Sequence, residues 1–425
     1  MATLYDELEW RGLIAQSTAE DLPDRLEAEP MTLYAGFDPT ANSLQLGNLL
    51  PVMCMAHFQR AGHRPIALVG GATGMIGDPS GKSEERNLLS TDQIKANAEA
   101  VKKQLSRFLD FEGNNAAIMV DNLDWIGQMS FIDWLRDVGK YFNVNTMLAK
   151  DSVKSRLGSD GGISYTEFSY MTMQAYDFLH LSDTYGCHLQ VGGSDQWGNI
   201  VAGIELVRRR HGRSVYGLTF PLITTASGEK VGKSAGNALW LDAEKTSPYR
   251  FYQYWIQMDD ADVDRFLKYF TFLRQDEIAE IVNAHEIEPH RREGQKRLAA
   301  EVTRLVHGEA GLDRALRATS AFFSGDVTGF SEAELEDVFA DAPSSEQSRD
   351  RLGTDRLVDL LADAAIFASR GEARRMIKGG GVSVNNAKVT DPEITSDASM
   401  LTTDSIMVVR RGRKKYYLLR FVSGE

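Results

Sequence analysis

Residues 34 to 51 of this 425-residue chain read YAGFDPTANSLQLGNLLP, and they restrict the fold more than any other stretch. An apolar run, Met31 to Phe37, breaks at Asp38-Pro39-Thr40 and resumes with helical spacing at Leu46, Leu49, Leu50 and Met53. Strand, tight connection and helix N-terminus in that order bring unpaired backbone N–H groups together, a ready place for an anion. Gly47 admits a ligand close to the backbone, which any Cβ would obstruct. Taken alone the pattern is an ordinary βα unit. The rest of the chain narrows it.

Apolar runs at Pro65–Val69, Ala116–Val120, His188–Val191 and Leu218–Thr224 read as further strands separated by helical patterns. Ser90 with Gln93 makes a capping box for one of those helices. This alternation predicts an α/β fold with a doubly wound parallel sheet, whose ligands bind at the carboxyl ends of the strands. The second strand runs into GGATGMIGDPSGKS, residues 70–83. A P-loop needs glycine at position 76, where this chain has Ile76, so the loop is not one. Its glycines fit a backbone passing close to a ligand, and Asp78 offers a carboxylate to a cationic group.

Three later stretches carry chemistry. Ser164 and Glu167 form a second capping box, beyond which Tyr170, Gln174 and Asp177 share one helical face. A phenol, an amide and a carboxylate on an otherwise apolar helix need polar partners if buried. The fourth strand ends in GGSDQWGN, where Asp195 suits ribose hydroxyls and Gln196 supplies both donor and acceptor. Ser227 to Asn237 sets Lys230 and Lys233 around a glycine, which suits a mobile clamp on polyphosphate. Each has a bland alternative: a plain turn, a solvent face, an exposed basic loop.

Apolar content of 43% and charged content of 25% fit a globular protein with more than one core. The apolar runs are far too short to cross a bilayer, and MATLYDELEWRG lacks the apolar core of a secretory leader. Cys54 and Cys187 have no metal or disulfide spacing and read as buried thiols, for which a reducing cytoplasm is the simplest compartment. A net charge of −13 excludes a protein that coats nucleic acid unselectively. Residues 351–425 nevertheless hold 13 Lys/Arg against 9 Asp/Glu, which suggests one nucleic-acid-facing part on an acidic body. Residues 131–157 are helical in pattern with an aromatic surface at Trp134, Tyr141 and Phe142, either core or a subunit interface. Residues from 246 to about 338 read as helical throughout, and 340–350 have linker composition.

Read together, these stretches resemble the bacterial tyrosyl-tRNA synthetases of class I. YAGFDPTA with LQLGN, GGATGMIGDPSGKS, YMTMQAYDF, QVGGSDQWGN and KVGKS resemble the family's motifs in order, and residues 357–389 resemble its small RNA-binding tail. The resemblance implies a Rossmann-like catalytic domain over 1–225 with a dimer-interface insertion at about 125–160, and a lysine-bearing phosphate loop over 226–245. An all-α anticodon-binding domain over 246–339, a linker over 340–354 and an α+β RNA-binding domain over 355–425 would follow.

It also implies activation of L-tyrosine with ATP and transfer to the 3′-terminal adenosine of tRNA(Tyr), by a cytoplasmic homodimer with no membrane segment. Mg2+ would accompany the nucleotide. Tyr34 and Asp177 would meet the substrate phenol, with Asp78, Tyr170 and Gln174 around its α-amino group and Gln196 nearby. Asp38, Thr40, Gly47, Asn48, Asp195, Lys230, Lys233 and Ser234 would bind ATP. Thr40, Gln45, Asn48, Lys230 and Lys233 would act on the phosphates in catalysis. Arg374, Arg375 and Lys378 would face tRNA.

A site built to hydrogen-bond a phenol rejects phenylalanine because its polar groups would be left unpaired, and this family is the standard illustration. The Ser164–Asp177 segment favours tyrosine over tryptophan, the nearest alternative substrate. A non-catalytic RNA-binding relative and a generic nucleotidyltransferase are more distant alternatives. The chain departs from the family at Gln45, where the first motif usually has histidine. A primary amide keeps a neutral hydrogen bond there but supplies no imidazolium.

Overall fold

The computed structural model describes residues 3–80, 89–158, 162–228, 231–234, 237–324, 326–327, 329–340, 342–412 and 415–423. The chain divides into two compact units, residues 1–246 with 254–306, and residues 247–253 with 307–425.

In the first unit the described residues form a six-stranded sheet. Its strands are β1 (Gln16–Ser17), β2 (Thr32–Phe37), β3 (Arg64–Val69), β4 (Ile118–Asp121), β5 (Cys187–Gly193) and β6 (Tyr216–Phe220), in the order β1-β6-β5-β2-β3-β4. All pairs are parallel except the edge pair of β1 with β6, which the sequence did not announce. Successive strands lie to one side of β2 through β4 and to the other from β5 onward. The order therefore reverses between β2 and β5, where such sheets bind ligands. Leu33, Tyr34, Ala35 and Phe37 are buried, as expected for a strand covered on both faces.

Helices Leu49–Arg60, Thr91–Leu105, Tyr165–Tyr185 and Trp197–His211 make the crossovers. The Ser90–Gln93 capping box is present, with Ser90 accepting from Gln93 N–H at 3.3 Å, and Ser164 caps its helix by accepting from Glu167 N–H at 3.2 Å. Gly186 closes the Tyr165–Tyr185 helix in the left-handed conformation, φ 62°.

The segment expected as one helical stretch, 131–157, is instead broken into Phe131–Asp137, Val144–Leu148 and Asp151–Leu157. Of the two readings of its aromatic residues, core and subunit interface, the structure shows the first. Trp134, Tyr141 and Phe142 pack inward on the core beneath the Tyr165 helix, while Phe131, Ile132, Leu135, Val144 and Leu148 are exposed.

The helices of the expected all-α segment are shared between the two units. The division falls beside Gly308, whose φ of 72° and ψ of 177° interrupt helix Glu293–Ser324. In the second unit a five-stranded sheet runs in the order Ala387–Val389, Val382–Val384, Ile406–Arg411, Lys415–Val422, Ser344–Ser348. Helices Leu357–Asp363 and Arg370–Lys378 close its core around Leu360, Leu361, Ile377, Leu419 and Phe421. Residues 340–354, expected as a linker, thus supply an edge strand. Their polar composition reads as a linker, but an edge strand needs only backbone pairing on one side, here parallel to Lys415–Val422.

Candidate active site

A cleft of about 880 Å³ opens at the carboxyl ends of β2 and β5. Tyr34, Asp38, Thr40, Gln45, Gly47, Asn48, Asp78, Tyr170, Gln174, Asp177, Asp195 and Gln196 all line it. Residues spread over 160 positions of sequence therefore meet in one place. Lys230 lies outside the described residues. So do the side chains of Lys233 and Ser234, whose backbone pairs antiparallel with Asn237–Ala238.

The deep wall is a buried polar network. Asp177, 1% exposed, accepts from Asn122 Nδ2 and Trp125 Nε1, each at 2.9 Å. Asn122 also donates to Thr73 Oγ1 at 3.0 Å, and Thr73 donates to Asp38 Oδ1 at 2.7 Å. Asp38 Oδ2 accepts from the Tyr170 hydroxyl at 2.8 Å. Burial pushes the Asp177 carboxyl up to about 8; the Asn122 and Trp125 donors oppose this, and the nearby Asp38 and Asp121 charges add to it. Burial, with the neighbouring carboxylates, holds the Tyr34 and Tyr170 phenols well above their ordinary range, so both remain neutral donors.

Two groups on this wall lack partners. The Tyr34 hydroxyl and Gln190 Oε1 are fully enclosed, and neither has a hydrogen bond among the described residues. They belong to adjacent strands and face each other in register. Enclosed polar atoms without partners are costly and point to a ligand group that completes them.

A second network lies nearer the mouth. Gln196 Nε2 donates to Asp78 Oδ2 at 2.7 Å, and Gln174 Nε2 donates to Gln196 Oε1 at 3.2 Å. Asn199 Nδ2 reaches Gln174 Oε1 at 3.0 Å. Asp78 Oδ1 accepts from Ser80 N–H at 2.9 Å. The Asp78 carboxylate and the amide oxygens suit an ammonium group.

At the opposite rim, Asn48 Oδ1 accepts from Gln45 N–H at 3.0 Å, which leaves its amide N–H groups to offer a ligand. Open space surrounds the position a Cβ would occupy on Gly47. Gly74 and Gly77 of the loop after β3 line the cleft, as expected, whereas Gly70 and Gly71 have a packing role. A Cβ on Gly70 would sit 2.1 Å from Asp38 Oδ1, and one on Gly71 would sit 2.2 Å from Asp121 Oδ1. These glycines make room for the carboxylates of the network. Asn122, Trp125, Thr73 and Gln190 escaped the sequence reading. Gln190, a lone amide inside an apolar strand, was the detectable signal.

In the second unit, Arg375 and Lys378 are exposed on helix Arg370–Lys378, whereas Arg374 is half-buried and bonded to Glu393 Oε1 at 3.0 Å.

The family model for class I tRNA synthetases (W and Y) matches residues 26–324, and that for the tyrosine–tRNA ligase SYY-like C-terminal domain matches 334–419. The tyrosine–tRNA ligase of Roseiflexus castenholzii is 52% identical over 425 residues, covering 99% of this chain and 100% of the relative. That of Geobacillus stearothermophilus is 52% identical over 421 residues, covering 98% and 99%. A C-terminally truncated mitochondrial tyrosyl-tRNA synthetase from Aspergillus nidulans superposes with a TM-score of 0.69 at 32% identity, covering 76% of this chain and 95% of that one. With both parts matched and the likeness running almost end to end, the chain belongs to the tyrosyl-tRNA synthetases of class I.

Proposed function

We propose that the cleft binds tyrosine with its ring between Tyr34 and Asp177, and that this phenol-reading wall sets the specificity of the tyrosine–tRNA ligase. The chain activates tyrosine with ATP, releases pyrophosphate and transfers the tyrosyl group to tRNA. The observation that carries the residue assignment is the enclosed Tyr34 hydroxyl without a partner beside Asp177. A substrate phenol accepting from Tyr34 and donating to Asp177 completes both.

The α-ammonium group is assigned to Asp78, Tyr170 and Gln174, with Gln196 orienting Asp78. The substrate carboxylate then faces the Asn48 rim, where it attacks the α-phosphorus as pyrophosphate leaves. Thr40, Gln45, the backbone at Gly47 and Asn48 receive the phosphates from one side, and Lys230, Lys233 and Ser234 from the other. Asp195 takes the ribose. Asp38 orients Tyr170 through its Oδ2 and is assigned with Thr40 to the ATP. No side chain is covalently changed, so rate comes from positioning and from charge stabilisation of the leaving pyrophosphate. Magnesium would accompany the ATP, held by phosphate oxygens and water, and would supply charge neutralisation to the leaving pyrophosphate.

Arg375 and Lys378 are assigned to the tRNA backbone. The exposed apolar side chains Phe131, Ile132, Leu135, Val144 and Leu148 are assigned to a homodimer interface. Two buried free thiols favour residence in the cytoplasm. Among the described residues no helix is long and apolar enough to cross a membrane.

Amino-acid-dependent exchange of pyrophosphate into ATP tests the reading. Exchange is expected with tyrosine and absent with phenylalanine and tryptophan. Exchange with tryptophan, or equal loss of tyrosine and ATP binding in Tyr34→Phe, would overturn the assignment of the wall.

A further inference from the structure

Residues 38–44 join β2 to the short turn Leu46–Asn48 with neither helix nor strand of their own. Thr40, Ser43 and Leu44 of this segment line the cleft, and Gln45 and Asn48 follow directly. Such a stretch can present its groups to a ligand in fixed geometry only if its backbone is held.

One helix holds it. On Thr91–Leu105 the buried face is Ile94, Ala98, Val101, Gln104 and Leu105, with half-buried Asn97 beside it. Asn97 and Gln104 are seven residues apart and so share that face. Amides set among apolar side chains need partners, and both find them on the cleft segment. Asn97 Nδ2 donates to the Pro39 carbonyl at 3.0 Å. Gln104 Oε1 accepts from Leu44 N–H at 2.7 Å, and its Nε2 donates to Ser43 Oγ at 2.9 Å. Ser43 Oγ in turn donates to the Leu44 carbonyl at 2.9 Å, so one amide governs both backbone groups of Leu44. Pairing with other backbone comes at the trailing end, where Leu241 N–H also donates to the Leu44 carbonyl at 2.9 Å. Among the described residues, these two amides are the side chains from outside residues 39–44 that bond that backbone. Gln104 is 7% exposed, which shields its bonds from exchange with water.

We infer that Gln104, assisted by Asn97, is a positioning residue for adenylate formation. It sets the segment that carries Thr40 and leads into Gln45 and Asn48, while Gln104 itself does not line the cleft. The inference rests on the phosphate role assigned above to that rim.

The test uses the full-length enzyme. Gln104→Met keeps the length of the side chain and removes both of its hydrogen bonds. Formation of tyrosyl-adenylate at saturating tyrosine and ATP should slow about tenfold or more, since misplacing a reacting group by about 1 Å can cost about a hundredfold. Tyrosine affinity, measured by equilibrium dialysis without ATP, should stay unchanged, because Asn122, Trp125 and Thr73 brace the proposed tyrosine wall. Asn97→Ala, at a half-buried position that tolerates truncation, should slow the same step about two- to fivefold, the worth of one neutral hydrogen bond. It carries the test alone if Gln104→Met does not fold. An unchanged adenylation rate in the folded variants, or a loss of tyrosine affinity in step with the rate, would overturn the inference. Lack of tyrosine-dependent exchange in the unmutated enzyme would overturn the functional reading, and this inference with it.

Discussion

The Tyr170 hydroxyl donates to Asp38 Oδ2 at 2.8 Å and thereby fastens the helix facing the substrate to the end of the central strand. Thr73 holds the other oxygen of the same carboxylate at 2.7 Å. Tyr170→Phe breaks a buried bond to a charged acceptor, and should lower the unfolding free energy by about 1–3 kcal/mol. Urea denaturation reads that loss. Steady-state kinetics should show a higher KM for tyrosine with the KM for ATP unmoved.

Tyr34→Phe should act with the opposite sign on stability. The hydroxyl it removes is enclosed without a partner, so the free enzyme is relieved of a desolvation cost of about 1–3 kcal/mol. The variant should unfold at higher denaturant, yet discriminate less well between tyrosine and phenylalanine in the exchange assay. A stability loss would show that the hydroxyl is satisfied in the free enzyme.

Asp177 gives the fold a pH dependence of unusual direction. Its carboxyl is raised to about 8 in the folded chain, against about 4 when unfolded. Between those values the folded chain holds the extra proton, so this residue's contribution to stability falls as pH rises from about 4 to about 8. Wild type should lose stability relative to Asp177→Asn across that window when both are denatured at a series of pH values. Parallel curves would refute it.

Arg375→Ala with Lys378→Ala should weaken tRNA charging and reduce its salt dependence, while tyrosine-dependent exchange stays intact. Arg374→Ala should do less to tRNA, because that guanidinium is already paired with Glu393. Loss of both steps together would show that the tail supports the catalytic unit instead.

Gln45 and Asn48 place neutral amides at the rim proposed for the phosphates, and among the described residues no histidine lines the cleft. The adenylation rate of the wild type should therefore lack an inflection near the ordinary histidine value of about 6.5, which Gln45→His should introduce. An inflection of equal size in both would defeat the idea.

Much of the site was legible because its chemistry sits where sequence patterns change. Asp38 ends an apolar run, Asp195 follows a glycine pair, and Tyr170, Gln174 and Asp177 recur at helical spacing. What sets their orientation was not legible. Asn122 and Trp125 come from the connection after β4 and Thr73 from the one after β3, and only the assembled sheet brings them to Asp177 and Asp38. The same holds for Ser344–Ser348, whose strand character comes from Lys415–Val422 some seventy residues later. Trp134, Tyr141 and Phe142 pack on the core while Phe131, Ile132 and Leu135 of the same segment stay exposed, a division that composition alone does not reveal.

Trp125 donates to Asp177 while its ring stacks on His180 at 4.3 Å. The indole is thus wired to the very carboxylate assigned to the incoming phenol. With that assignment, filling the pocket should shift the emission of this ring, and tyrosine titrated into the enzyme should leave an optical trace that Trp125→Phe removes.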